Sequence, residues 1–155
     1  MAAWVAVAVW AGLAAVARAE APLLVIVDVV RQAEVRFSRA DLEAMRQVSY
    51  RTSTVWTDGV LVFRGVPLSE VPKVAGARGA TIELSASNDY VAEMPVAEVT
   101  EDVPLVAMTI DGVPMTRRDK GPLWVVYPYD MSTVYQSEVV YTRSVWQLDR
   151  IEVLP

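Results

Sequence analysis

The chain has 155 residues, of which 54% are hydrophobic, enough for one compact domain with a core and too few for two. Its formal net charge of -5 lacks the basic surplus that contact with a phosphate backbone requires, so nucleic acid is not an expected partner. Cysteine and histidine are both absent, which removes the strongest thiol nucleophile, the usual neutral-pH general base and the commonest metal ligands.

The first 19 residues have the features of a secretory signal peptide. Residues 2–17 carry no charged or polar side chain, and the sequence ARA then places small residues at positions -3 and -1 before Glu20. A membrane anchor is the alternative, but the apolar run is shorter than the roughly 20 residues that span a bilayer. We therefore expect cleavage before Glu20, a single mature domain over residues 20–155, and a periplasmic or secreted location with only transient membrane contact.

The mature chain begins with strand and helix signals. The run LLVIVDVV, residues 23–30, has the length and β-branched content of a strand that is buried on both faces. Ser38 and Asp41 have the spacing of a capping box, which predicts a short helix through about Met45. Residues 48–64 then predict a hairpin, in which two β-branched and aromatic stretches flank the turn TDG.

The middle of the chain alternates strands with turns. Ser69 is a candidate cap for a second helix, which Pro72 interrupts and glycines end. Residues 80–96 predict two strands, ATIELSA and YVAEMPV, on either side of a polar turn. Residues 103–110 predict a further aliphatic strand, which the turn pair Asp-Gly closes.

The last third holds a clear strand, an ambiguous segment and a final strand. Residues 123–127 predict a strand, whereas residues 131–145 favour neither helix nor strand. Residues 146–155 predict the last strand, in which a shift of apolar parity indicates a bulge near Asp149. Many short strands with a few brief helices predict an α+β domain that is dominated by mixed β-sheet.

An ordered series of motifs resembles the molybdopterin-binding domain of the sulfite oxidase family, especially its small exported members. The motifs are DLEAM, WTDG, FRGVPLSEV, ATIELSASNDYVAEMPVAEV, LVAMTIDGVPM, DKGPLWVVYP and WQLDRIEV. The resemblance covers roughly residues 23–154 and implies the sheet-rich α+β fold of that family.

The chain departs from the catalytic members of the family that it resembles. In those members a cysteine, which lies between the first helix and the W..G turn, binds molybdenum through its thiolate. That segment, RQVSYRTSTVW, offers only the hard hydroxyl oxygens of Thr52, Ser53 and Thr54. Leu123 and Trp124 stand where the family tends to carry the arginine of a P-x-R stretch. The leader lacks the twin arginine with which such enzymes are exported folded and loaded. No bound cofactor is therefore expected; the alternative is a molybdopterin oxidoreductase with an atypical oxygen ligand.

A cationic loop is the first candidate contact for a ligand. Arg117, Arg118 and Lys120 can hold a phosphate through charge-assisted hydrogen bonds, together with an exposed backbone N–H next to Gly121. The other interpretation is a solvated turn, since Asp119 offsets part of the charge and exposed charges discourage pairing at a sheet edge.

Further candidates lie in a turn and among the aromatic residues. Asn88, Asp89 and Tyr90 stand where the family has an acidic and aromatic pair, so the resemblance implies contact with a ligand, although Asn-Asp also favours a tight turn. Trp56 can stack on a flat heterocycle, and core packing is favoured for the other two tryptophans of the mature chain, Trp124 and Trp146. Four tyrosines can line a cleft or a protein-binding surface, or cover the core: Tyr127, Tyr129, Tyr135 and Tyr141.

Together these features predict an exported binding or interaction module rather than an enzyme, whose partner is a small anionic ligand or a periplasmic protein. No catalytic or metal-binding residue is assigned. The candidate ligand contacts are Ser53, Trp56, Asn88, Asp89, Tyr90, Arg117, Arg118, Lys120 and Gly121.

Overall fold

The computed structural model of the protein describes residues 21–155, which form two β-sheets with a few brief helices. The predicted α+β class, dominated by β-sheet, is confirmed. The predicted signal peptide, with its cleavage point before Glu20, lies outside the described residues. Within residues 21–155, no helix is both long and apolar enough to cross a membrane.

Strands of two to eight residues make up most of the regular structure. They are β1 (Leu24–Asp28), β2 (Ala33–Phe37), β3 (Val48–Ser53), β4 (Val60–Pro67), β5 (Thr81–Ala86), β6 (Val91–Pro95), β7 (Leu105–Ile110), β8 (Val113–Pro114), β9 (Trp124–Val126) and β10 (Leu148–Leu154). The α-helices are α1 (Arg39–Ala44), α2 (Glu70–Val74) and α3 (Glu138–Thr142), and single 3-10 turns occupy Val96–Glu98, Arg117–Asp119, Tyr129–Met131 and Thr133–Tyr135.

The first sheet is mixed, with the strand order β2-β1-β10-β5-β6. β1 and β10 run parallel, and the other neighbouring strands are antiparallel. The bulge predicted near Asp149 is confirmed, because the register between β10 and β5 shifts between Leu148 and Arg150. The first and last strands of the described chain are therefore paired inside one sheet.

The second sheet is antiparallel, with the strand order β3-β4-β7-β8 and with β9 also paired to β7. The predicted hairpin of β3 and β4 is confirmed. A single hydrophobic cluster draws on both sheets, with Ile26, Leu84 and Ile151 from the first and Phe63, Val106 and Trp124 from the second. The two sheets therefore share one core.

The two predicted helix caps have different outcomes. The capping box of α1 is confirmed, since the Asp41 N–H donates to Ser38 Oγ over 3.2 Å and the Ser38 N–H donates to Asp41 Oδ2 over 2.8 Å. The predicted Ser69 cap of α2 is wrong, because the Ser69 hydroxyl donates to the Glu101 carbonyl over 2.8 Å. Pro72 lies within the first turn of α2, where the missing N–H removes no helical hydrogen bond, so it does not interrupt the helix.

Local hydrogen bonds and tertiary contacts account for the elements that differ from expectation. β1 ends at Asp28 rather than at Val30, because the Arg31 N–H donates to Asp28 Oδ1 over 3.0 Å and turns the chain into β2. One face of β1 is buried and the other is only partly covered. The ambiguous segment 131–145 contains a 3-10 turn and α3, whose N-cap Ser137 accepts a hydrogen bond from the Val140 N–H.

Candidate ligand-binding site

Trp56 lies at the centre of an aromatic cluster. Its ring centroid is 5.9 Å from that of Trp124, 6.2 Å from Tyr129, 5.7 Å from Tyr141 and 5.7 Å from Trp146, and all four pairs meet edge to face. This geometry is favoured by the ring quadrupoles. The tryptophans of the described chain, which are far apart in sequence, therefore form one cluster.

The loop between β3 and β4 holds Trp56 in this position. Thr54 Oγ1 accepts a hydrogen bond from the Trp56 N–H over 3.1 Å and lies 2.7 Å from the hydroxyl of Thr57. Hydroxyl contacts of this kind fix a turn locally. Trp124 lies beneath, fully buried, and its indole N–H donates to the Ser144 carbonyl over 3.2 Å. Core packing, as expected for Trp124, accounts for that residue.

A cavity of about 170 Å³ opens beside this cluster. It is slightly larger than the roughly 150 Å³ apolar cavity that holds a benzene ring, so it has room for one small ring system. The lining residues are Trp56, Asn88, Tyr90, Tyr141, Thr142, Ser144, Val145 and Trp146. We refer to this space as the aromatic cavity.

The turn between β5 and β6 contributes one side of the aromatic cavity. Tyr90 donates its hydroxyl hydrogen to the Thr142 carbonyl over 2.7 Å, and its N–H donates to Asn88 Oδ1 over 3.2 Å. Asp89 does not line the cavity; it adopts a positive φ of 65°, and its N–H donates to the Ala86 carbonyl over 3.0 Å. Asn88 and Tyr90 thus face the cavity, whereas Asp89 forms the turn.

Lys120 places a positive charge close to the aromatic cavity. Its ammonium lies 5.7 Å from the centroid of Trp146 and 5.8 Å from that of Trp124, within cation–π range. The Gln147 N–H donates to the Lys120 carbonyl over 3.0 Å, and Gln147 Nε2 donates to the Arg117 carbonyl over 2.9 Å. The cationic loop is thus fixed to the chain that follows Trp146.

The rest of the cationic loop lacks one of the expected contacts for an anion. Gly121 is buried, and its N–H donates to the Thr116 carbonyl over 2.7 Å, so the expected exposed N–H is already paired. Asp119 accepts a hydrogen bond from the Thr116 hydroxyl over 2.6 Å. Arg117 and Arg118 are exposed and form no ion pair with residues 21–155. The paired Gly121 N–H favours the interpretation as a solvated turn, and the phosphate contact of Arg117 and Arg118 stays a prediction.

Ser53 is outside the aromatic cavity and is paired with Asp130. Its hydroxyl donates to Asp130 Oδ1 over 2.6 Å and its N–H donates to Asp130 Oδ2 over 2.5 Å. The hydrogen bond from the Ser53 hydroxyl, followed by that from the Ser53 N–H, lowers the pKa of Asp130. Thr52 is buried, accepts a hydrogen bond from the Asp130 N–H over 3.1 Å and donates to the Ser53 carbonyl.

These donors do not fit a molybdenum–pterin centre. The chain has no thiolate to offer, and the hydroxyls of Thr52, Ser53 and Thr54 are all engaged in hydrogen bonds within the protein. Within residues 21–155, no group of three or more histidine, cysteine, aspartate or glutamate side chains is placed to hold a metal ion.

The four candidate tyrosines have separate roles. Tyr127 and Tyr129 are buried and belong to the core, where burial raises the pKa of both hydroxyls and brings that of Tyr129 to about 12. Tyr129 hydrogen-bonds the Ser144 hydroxyl over 2.6 Å. Tyr135 is half-buried against Tyr127, and Tyr141 lines the aromatic cavity.

Sequence reasoning therefore found part of the lining of the cavity. Trp56, Asn88 and Tyr90 were candidate contacts, and Tyr141 was a possible cleft residue. Core packing was favoured for Trp146, although it also lines the cavity. The remaining lining residues are Thr142, which ends α3, and Ser144 and Val145, which follow it. All three lie in the segment whose conformation the sequence left open.

Comparison with known proteins identifies a solved structure with a similar fold. No protein-family model and no curated protein match the chain. Among solved structures, the sulfane dehydrogenase SoxCD from Paracoccus pantotrophus is similar, with a TM-score of 0.63 and 18% sequence identity. The match covers 84% of this chain and 37% of that chain. At this identity the similarity establishes a shared fold, and this chain spans little more than a third of its neighbour.

Proposed function

We propose that this chain is an exported binding module with the sulfite-oxidase-type molybdopterin-binding fold, that it performs no molybdenum chemistry, and that it binds a small flat ring compound in the aromatic cavity. The fold shared with sulfane dehydrogenase SoxCD supports the fold assignment, as do the ordered motifs of the sequence. The apolar leader and the ARA sequence before Glu20 support export to the periplasm or the medium.

The observation that carries the binding proposal is the convergence of aromatic side chains on one cavity. Trp56 follows β3, Tyr90 precedes β6, and Tyr141 and Trp146 lie in and after α3. Ligand sites are typically concave and apolar, with a few polar groups that orient the ligand. Asn88 supplies such a group, because its amide faces the cavity and only its oxygen is used by the Tyr90 N–H among residues 21–155.

The size and charge of the cavity define the ligand class. The cavity of about 170 Å³ accommodates a flat ring system, which can stack on an indole ring or meet it edge to face. It is too small for a long or branched molecule. The ammonium of Lys120 lies beside Trp146 and favours a ring with negative charge or negative edges. A pterin or a small aromatic carboxylate has these properties.

The molybdenum alternative has no comparable support. The thiolate that would bind the metal is absent, and Ser53, the closest surrogate, gives both its hydroxyl and its N–H to the carboxylate of Asp130. A hard oxygen held in this way is a poor ligand for a metal that dithiolene sulfur already coordinates.

Calorimetric titration of the mature protein with pterin and with pterin-6-carboxylate tests the proposal. We expect saturable binding, tighter for the carboxylate, and at least tenfold weaker binding in Tyr141→Leu. The matched control is Tyr135→Leu, because Tyr135 is a half-buried tyrosine of the same region that does not line the cavity. If neither probe binds saturably, or if both variants lose affinity equally, the aromatic cavity is not the binding site.

A further inference from the structure

A second, larger cleft lies at the other end of the β5–β6 hairpin. The aromatic cavity adjoins the turn at Asn88, whereas this cleft adjoins Ile82 at the start of β5 and Val96 just after β6. Its volume is about 600 Å³, within the range of small-molecule sites. A six-residue strand separates the two spaces, roughly 17–20 Å, so they are independent.

The deepest residues of this cleft are apolar. Leu68, Ile82 and Val153 line it and are 0%, 2% and 1% exposed. Val96 and Val99, both half-buried, extend the apolar lining toward the surface. A hydrocarbon chain that packs against these side chains would be removed from water, and the burial of its apolar surface would favour binding.

The charged lining residues of the cleft are all cationic. They are Arg31 from the turn after β1, Lys73 from α2 and Arg78 from the segment that follows α2. No aspartate or glutamate lines the cleft, although the whole chain has 19 acidic and 14 basic residues. Asp28 lies 3.8 Å from Arg31 and Glu70 lies 3.8 Å from Lys73, so these two carboxylates beside the cleft offset part of the charge. The lining itself is cationic, which favours an anion at this position.

Two of these cations are available to a ligand. Arg31 is held in place, because its Nη1 donates to the Gly76 carbonyl over 2.7 Å. The Lys73 side chain is 75% exposed and lies 3.8 Å from Glu70. The Arg78 guanidinium forms no hydrogen bond or ion pair with residues 21–155, and only its backbone N–H is held, by Asp28.

The backbone around Arg78 is positioned by a close contact. A Cβ at Gly79 would lie 2.0 Å from the Leu154 carbonyl oxygen, so only glycine lets the chain pass this close to β10. Ala80 donates its N–H to the same carbonyl over 2.9 Å. Arg78 therefore projects from a fixed segment of chain rather than from a free loop.

We propose that this cleft binds an anionic amphiphile, a molecule with one carboxylate-type head group and an aliphatic body. Lys73 and Arg78 contact the head group, and the apolar residues at the base of the cleft cover the hydrocarbon. The proposal concerns a site separate from the aromatic cavity and does not depend on the function proposed for that cavity.

Sodium decanoate, used below the concentration at which it forms micelles, tests the proposal by calorimetric titration of the mature protein. We expect saturable binding that strengthens from hexanoate to decanoate, by up to roughly fourfold for each methylene that becomes buried. Decyltrimethylammonium, with the same tail and the opposite charge, is expected to bind at least tenfold more weakly. Equal binding of the two, or no saturable binding of decanoate, overturns the proposal.

A charge-matched pair of variants locates the site. Lys73→Gln with Arg78→Gln should weaken decanoate binding at least tenfold. The control, Arg51→Gln with Arg64→Gln, removes the same charge from exposed positions of the second sheet and should leave binding unchanged. Equal loss in both pairs would attribute binding to net charge and overturn the assignment. Binding to phosphatidylglycerol vesicles without binding of free decanoate would also overturn it, because the surface would then recognise a membrane.

Discussion

The carboxylate of Asp130 and the hydroxyl of Ser53 form a closed pair at the end of β3. Ser53 donates two hydrogen bonds to the Asp130 carboxylate, and Thr52 Oγ1 accepts one from the Asp130 N–H. These three bonds join β3 to the 3-10 turn Tyr129–Met131. Tyr129 precedes Asp130 in this turn and contacts Trp56, so the pair also helps to hold the aromatic cluster. These hydrogen bonds support a structural role for the pair, within the segment in which the family resemblance implies a metal ligand.

Replacement of Asp130 by Asn tests this role through pH. The pKa of Asp130 is lower in the folded protein than in the unfolded chain, because the Ser53 hydroxyl donates to it. Its ionised form therefore stabilises the fold above the unfolded-state pKa of about 4, and this contribution is lost as the pH falls through the folded-state pKa. We expect the variant to melt below the unmodified protein at neutral pH, and the difference to disappear in acid.

Thermal melts at a series of pH values measure this difference. Asp58→Asn is the control, since Asp58 is exposed and accepts no hydrogen bond from residues 21–155. If Asp130→Asn lowers the melting temperature by the same amount at neutral and at acidic pH, the ionised carboxylate of Asp130 does not stabilise the fold.

Replacement of Ser53 by Cys should not create a molybdenum enzyme. The carboxylate of Asp130 lies within hydrogen-bonding distance of this position and would disfavour a thiolate beside it. The N–H of Gly121 is also paired and cannot bind a pterin phosphate. When the variant is expressed together with cofactor synthesis, we expect no turnover of sulfite or sulfoxide above background; measurable turnover would contradict the account.

Among the elements, the second sheet depends on a glycine contact between β4 and β7. The register of this pair shifts between Arg64 and Gly65, and a Cβ at Gly65 would lie 2.0 Å from the Val106 carbonyl oxygen. We expect Gly65→Ala to lower the free energy of unfolding by about 3 kcal/mol, because two paired strands must separate. Urea unfolding measures this value.

Gly112 provides the comparison for this variant. It has a positive φ of 79°, and no atom lies within 4 Å of an added Cβ. Asparagine tolerates this conformation, so Gly112→Asn should cost less than about 1 kcal/mol. Equal free energies of unfolding for the two variants would show that the close approach of β4 and β7 does not limit which side chain position 65 accepts.

The cationic loop can be tested as a unit. Arg117 and Arg118 are exposed, and an exposed charge contributes at most about 1 kcal/mol. Lys120 adds cation–π contacts with Trp124 and Trp146, which contribute about 0.5–1 kcal/mol at exposed sites. Changing Arg117, Arg118 and Lys120 together to Gln should therefore lower the melting temperature only slightly. Inorganic phosphate should stabilise the unmodified protein weakly, in a manner that chloride suppresses. A saturable, chloride-resistant stabilisation that the triple variant loses would establish a phosphate site in this loop.

Elements with local signals were predictable from the sequence, and those fixed by distant contacts were not. Ser38 and Asp41 define α1 through their own hydrogen bonds, and the parity shift at Asp149 marks a real bulge. β2 was not predicted, although AEVRF alternates apolar with charged residues; the segment is short, and it is ordered by pairing with β1. α3 was left open, because its sequence mixes β-branched residues with polar caps and its position depends on packing of Val140.

The same distinction holds for the candidate site. The motif resemblance drew attention to Asn88 and Tyr90, which do line a cavity together with Trp56. It also drew attention to Ser53 and Gly121, whose polar groups are paired within the protein. The partners responsible, Asp130 and Thr116, could not be assigned from sequence, because hydrogen-bond pairing of this kind depends on the folded geometry.

At the scale of the whole molecule, the two cavities lie at opposite ends of one hairpin in the mixed sheet. The aromatic cavity is small and lined by rings, whereas the second cleft is larger, apolar at its base and cationic at its charged positions. β5 and β6 connect them through a rigid, hydrogen-bonded pair. The two binding proposals therefore concern chemically different small molecules and can be tested separately, and the chain offers no thiolate for metal chemistry.

Native mass spectrometry of the protein, purified from its own host, tests the central claim most directly. The account predicts a chain that begins at Glu20 and carries no molybdenum-containing adduct. Two observations would contradict it: one molybdopterin adduct per chain, recognised by the isotope pattern of molybdenum, or a chain in the membrane fraction that retains residues 1–19. The first would establish a metal enzyme with an oxygen ligand, and the second would establish a membrane anchor.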